Sequence, residues 1–147
     1  MAYATSADVQ KYVPTQIWTA GATSQPASST VDTWLIRMSN WVANSLRWRY
    51  NPDDITDADD LATLADITAM LVADKVWKVL GGHGGELPEI VKNLREDALA
   101  ELGYDKKTGN SSLKLGNTSE ASDSGPVATA AAYAEFPDRT FTREMVW

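Results

Sequence analysis

The chain has 147 residues, a net charge of −7 and no cysteine. That length fits one domain, the missing thiols exclude disulfides and thiolate metal sites, and the acid excess leaves no basic face for duplex nucleic acid. No run of about 18 apolar residues is present, so no membrane span is expected, and Met1-Ala2-Tyr3-Ala4-Thr5 lacks the basic and apolar regions of a signal peptide.

Thr5-Ser6-Ala7-Asp8 reads as a capping box that opens a short helix over roughly 6–12, with Val13-Pro14 ending it. A loop over about 14–28 is rich in Ser, Thr, Ala and Gly, and Ile17 and Trp18 are expected to tuck back from it onto the core. Ser29-Thr30-Val31-Asp32 is a second capping box. The helix after it, about 30–50, carries Val31, Leu35, Met38, Val42 and Leu46 in one stripe. Trp34, Trp41 and Trp48 recur every seven residues along the edge of that stripe, drifting by about 20° per heptad. They are either large core side chains or a contact edge for a ring or partner. Arg37, four residues before Trp41, is placed to stack on it.

Asn51-Pro52 ends this helix. Residues 51–74 hold seven acids and no Lys or Arg. Thr56 is the expected N-cap of a helix to about Leu80, with Asp57, Asp59 and Asp60 in the first turn, where the helix dipole favours negative charge. One face carries Leu61, Leu64, Ala65, Leu71, Val72, Val76 and Val79. The opposite face carries Met70 and Trp77, with Ile67 nearby. A helix apolar on both sides is either central in its bundle or covered by another subunit. Gly81-Gly82-His83-Gly84-Gly85 stops it. Pro88 suits the first turn of a last helix, about 88–102, with Ile90, Val91, Leu94, Ala98 and Leu102 on its apolar face and Gly103 closing it.

The predicted fold is therefore all-α, a small bundle of one short N-terminal helix, two long helices and one C-terminal helix. Residues 1–102 form the helical domain, with 8 Lys and Arg against 14 Asp and Glu. Residues 103–147 form an extended C-terminal arm, polar and unable to fold alone. Leu113 and Leu115 alternate with lysine, suited to a short strand on a partner's edge. The arm finishes with Phe136, Arg139, Phe141, Arg143, Met145 and Trp147, aromatic and guanidinium anchors of the kind that dominate binding energy at interfaces. These six residues are the candidate docking site, with packing onto the chain's own helices as the other reading.

No catalytic, cofactor-binding or metal site is singled out, and an enzyme is not expected. A calcium loop starting at Asp57 would need glycine at its sixth position and glutamate at its twelfth, where the chain has Ala62 and Thr68. His83 is the only histidine and has no partner of zinc-ligand type. Its glycine-flanked segment also lacks the Lys-Ser/Thr of a phosphate loop.

The opening Ala2-Tyr3-Ala4-Thr5-Ser6-Ala7-Asp8-Val9 resembles the start of head-to-tail connector proteins of tailed bacteriophages, also called adaptor or head-completion proteins. The resemblance extends over about residues 2–102. It includes the long helix closing on Arg47-Trp48-Arg49-Tyr50, the proline- and acid-containing loop, and the second long helix. The chain departs from that pattern at the long loop after Val13-Pro14 and in its longer tail. The resemblance implies a structural protein of the virion neck that forms a ring, commonly of twelve copies, beneath the portal. Such a ring extends the DNA channel, without specific binding of the DNA, and gives the tail a platform. Expected partners are further copies of the chain, the portal protein, and a stopper or tail-completion protein. Synthesis in the bacterial cytoplasm is expected, and no membrane. Ile67, Met70, Trp77 and Trp48 are the expected subunit contact, since a closed ring needs two apolar patches per subunit. A monomeric regulatory module that binds a protein through its C-terminal segment is the alternative.

Overall fold

The computed structural model describes residues 1–81 and 88–121. His83 and the docking residues Phe136, Arg139, Phe141, Arg143, Met145 and Trp147 lie outside the described residues. The described chain is all-α, with helices α1 (Ser6–Val9), α2 (Ser28–Leu46), α3 (Ala58–Gly81) and α4 (Glu89–Leu102), and a 3-10 turn at Pro52–Asp54 between α2 and α3. No helix among the described residues is long and apolar enough to cross a membrane.

Helix α1 is opened by Asp8, whose carboxylate accepts from the Thr5 N–H at 2.9 Å and from Thr5 Oγ1 at 2.8 Å. That pairing holds the Asp8 carboxyl below the usual carboxylate range, the Thr5 backbone N–H contributing most. The chain continues in turns to Val13, which is fully buried beside Val9 in the core. In the loop that follows, Trp18 tucks in as expected, 2% exposed, with its indole N–H donating to Pro26 O at 2.9 Å. Ile17 does not. It remains 48% exposed.

Helix α2 starts at Ser28, before the expected capping box, and Ala27 stands at its N-cap. Its stripe is as expected: Val31, Leu35, Val42 and Leu46 are buried, with Met38 half-buried against them. Helix α3 is capped by Asp57, not Thr56. Asp57 Oδ1 accepts from the N–H groups of Asp59 and Asp60 at 3.0 and 3.2 Å.

Helix α3 is the centre of the bundle, with α1, α2 and α4 all packed on it. Centrality is why it is apolar all round, and every residue from Ile67 to Asp74 is buried. The expected subunit face therefore needs correction. Ile67, Met70 and Trp77 are 0%, 6% and 7% exposed, covered by their own chain, and the Trp77 indole N–H donates to Tyr12 O at 3.2 Å. Of the four expected contact residues only Trp48 is on the surface. Val79, expected on the buried face, is 37% exposed.

Helix α4 buries Val91, Leu94, Ala98 and Leu102 and stops at Gly103, which adopts φ 60°. The Tyr104 N–H bonds to Leu99 O and the Gly103 N–H to Ala100 O, both at 3.0 Å, a Schellman motif. A side chain at Gly103 would be strained by that φ and would also run into Ser112 Oγ.

The boundary at residue 102 also needs correction. Residues 103–121 run back across the bundle as an added layer. After a tight turn around Asp105–Asn110, the Ser111 N–H donates to Ser45 O at 2.9 Å and the Leu113 N–H to Leu102 O at 3.2 Å. Ser111 Oγ also donates to Leu102 O. Leu115 is 7% exposed, and its N–H donates to the hydroxyl of fully buried Tyr50 at 2.9 Å. The Ala121 N–H reaches Arg49 O at 2.7 Å. Leu113 and Leu115 thus cover their own bundle instead of lying on a partner's sheet edge.

Candidate interaction surface

Three arrangements stand out on the outside of this bundle, and all involve the 103–121 layer. The first surrounds Trp48, just past the end of α2. Its indole N–H donates to Ser111 O at 2.7 Å, while the ring stays 51% exposed. The Arg49 guanidinium lies 4.5 Å from the ring centroid, donates to Ser112 O at 3.2 Å and pairs with Glu120 at 3.6 Å. The tryptophan is therefore held in one orientation with a large face turned outward. A rigid aromatic with an arginine stacked on it is the composition of an interface anchor.

The second is a groove of about 420 Å³ along α2, α3 and α4. Trp41 and Tyr104 form its aromatic floor, with ring centroids 4.7 Å apart and planes tilted by 50°. Met38, Leu71 and Leu99 complete the apolar lining, and Lys75, Arg95 and Lys106 stand around it. Asp74, the acid in the lining, is held by Lys78 at 2.6 Å. Among the described residues, none of Lys75, Arg95 and Lys106 lies within 4.0 Å of a carboxylate oxygen. Lys75 sits over the Trp34 ring, 5.8 Å from its centroid. The expected stacking of Arg37 on Trp41 is not formed, and the ring packed beside Trp41 is that of Tyr104.

The third is the acid cluster. Buried Asp60 accepts from the Gly116 N–H at 2.9 Å, the Asn117 N–H at 3.1 Å and Thr118 Oγ1 at 2.7 Å. Asp57 Oδ1 accepts from the Asn117 side-chain amide at 2.9 Å. That amide, followed by the N–H groups of Asp60 and Asp59, holds the Asp57 carboxyl below its ordinary range. These carboxylates clasp the 103–121 layer to the start of α3. No group of three or more His, Cys, Asp and Glu side chains among the described residues is placed to hold a metal ion.

Of the tryptophan edge, Trp34 and Trp41 are half-buried against the core and Trp48 is outward, so the edge divides between the two roles open to it. The groove residues Tyr104, Lys75, Arg95 and Lys106 were not singled out by the sequence. The one signal for them is Tyr104 directly after the helix-closing glycine, where an apolar side chain commonly folds back onto the last turn. Compared with family models, with curated proteins and with solved structures, the chain finds no match.

Proposed function

We propose that this chain is a docking protein of the phage neck, an adaptor set between portal and tail, whose C-terminal segment carries the attachment. The observation that supports it best is the division of the chain into two kinds of material. Residues 1–81 and 88–121 form a bundle closed by its own hydrogen bonds, with Trp48 fixed on its surface. Beyond it lies a segment with Phe136, Arg139, Phe141, Arg143, Met145 and Trp147, rich in anchor residues. An acid excess over the whole chain suits a channel wall past which DNA must slide without sticking. With Ile67, Met70 and Trp77 inside the bundle, the ring contact in this reading falls to the Trp48–Arg49 surface.

Deletion of 136–147 should leave a folded helical protein that no longer attaches to portal-bearing heads. Normal head completion by the truncated chain would overturn the docking role. The burial of the expected ring face favours a second reading, a monomeric module that binds one protein through its C-terminal segment. Mass measured in solution with and without portal separates the two: growth to a multimer on the portal supports the adaptor, and a single copy per partner supports the module.

A further inference from the structure

We propose that the groove between α2, α3 and α4 is the resting site of the chain's own segment Glu135-Phe136-Pro137-Asp138, so that the first anchor of the C-terminal segment is held by the bundle until a partner competes for it. The proposal concerns the isolated chain and goes beyond the neck reading without depending on it.

Complementarity of shape and charge carries the inference. The groove has an aromatic floor of Trp41 and Tyr104 with Met38, Leu71 and Leu99 beside it, a lining suited to one large apolar side chain. Around that floor stand Lys75, Arg95 and Lys106, in a chain whose net charge is −7. The occupant this combination selects is an aromatic flanked closely by acids. The stretch from Ser122 to Trp147 contains two phenylalanines. Phe141 has threonines on both sides and an arginine two residues on either side. Phe136 has Glu135 directly before it and Asp138 two residues after it, and Pro137 restricts the backbone between them. Among the aromatics of that stretch, Phe136 alone has a carboxylate within two residues on each side; Tyr133 has Glu135 on one side only, and Trp147 has Glu144 three residues before it.

The tether also fits. Ala121 is fixed to Arg49 O, and Phe136 follows fifteen residues later. A random coil of fifteen residues has a typical span of roughly 20 Å. Trp41 lies eight residues before Arg49, about 12 Å back at helical rise. The segment is thus presented to its own groove at an effective concentration on the order of millimolar, which makes even a weak contact persistent. Aromatic burial supplies the attraction, and the charges select the register.

The test uses the full-length chain, labelled with ¹⁵N. Because it has no cysteine, Ala134→Cys provides a unique site for a nitroxide. The readouts are the indole N–H signal of Trp41 and the amide signals of Leu99 and Tyr104, with the buried Trp18 indole as the reference. The expected result is selective loss of the groove signals, returning when the nitroxide is reduced. A second chain carrying Ala134→Cys and Phe136→Ala removes the anchor and keeps the tether, and it should retain those signals. Arg95→Glu with Lys106→Glu, both at exposed positions, should retain them as well, with helicity by circular dichroism unchanged. Equal attenuation with and without Phe136 would overturn the proposal, and so would attenuation that survives the charge reversal. A mixture of ¹⁵N chains without nitroxide and unlabelled chains with it should show no loss. Loss in that mixture would assign the groove to a second copy and overturn docking within one chain.

Discussion

Thr68 lies fully buried in the middle of α3, and its hydroxyl meets no hydrogen-bond partner among the described residues. A hydroxyl taken out of water with nothing to bond is a net loss, and Val has the same shape without it. Thr68→Val is expected to raise stability by about 1 kcal/mol, read as a higher urea midpoint at unchanged slope. Asp60 is the opposite case, a buried carboxylate with three donors from one strand of chain aimed at it. Asp60→Ala leaves those donors facing a void and should lower stability by about 3 kcal/mol. Asp60→Asn keeps an acceptor oxygen and should lose less. Hydrogen exchange at the Asn117 and Thr118 amides should quicken in the same order. Exchange unchanged in Asp60→Ala would mean that 116–118 is held by something other than the clasp.

At the scale of elements, the two helix starts capped by aspartate make a shared prediction about acid. The carboxyls of Asp8 and Asp57 are held below their ordinary range in the folded chain, chiefly by the Thr5 N–H and by the Asn117 amide. A depressed folded-state value means that the stabilisation is complete above the unfolded value, about 3.9 for aspartate, and disappears as pH falls through the depressed one. These two groups should therefore add no pH dependence between about 5 and 8 and should steepen the loss of stability below about pH 4. Asp57→Asn retains a capable N-cap but removes one titration, so its acid slope, followed by urea unfolding across pH, should be shallower. The start of α3 is half-legible in the sequence: the apolar period places the helix, but Thr56 and Asp57 are both good caps and spacing alone does not choose Asp57, which provides it. The stripe of α2 and the glycine closing α4 were legible because helical period and C-cap chemistry are local. The double apolar face of α3 was legible as a fact and ambiguous in meaning. Ile67, Met70 and Trp77 look the same in sequence whether their cover is α1 and its neighbours or a second copy. The path of 103–121 was not legible at all, since backbone donors meet Tyr50 and Asp60, and the Asn117 side-chain amide meets Asp57, across more than fifty residues with no side-chain period to mark them.

For the whole molecule, the decisive question is where the domain ends. A boundary at Leu102 follows from the helices alone, whereas the hydrogen bonds and the burial of Leu115 carry the packed unit at least as far as Ala121. The two make different predictions for truncated chains. Cutting after residue 102 strips Leu115 and the half-buried Leu113 and Tyr104 from the core and removes the partners of Asp60, of the Tyr50 hydroxyl and of the Trp48 indole. The apolar part of that loss alone is about 4 kcal/mol, a large share of the stability of a domain this size. The chain 1–102 should accordingly be markedly less stable than the chain 1–121, in urea and in thermal melting. The chain 1–121 should lie within about 1 kcal/mol of the full-length protein, because one docked phenylalanine on a long tether adds little to global stability. Equal stability of 1–102 and 1–121 would reduce the 103–121 layer to a surface decoration. The Trp48–Arg49 surface and the Trp41–Tyr104 groove would then lose their common support, since Ser111, Ser112, Glu120, Tyr104 and Lys106 all belong to that layer.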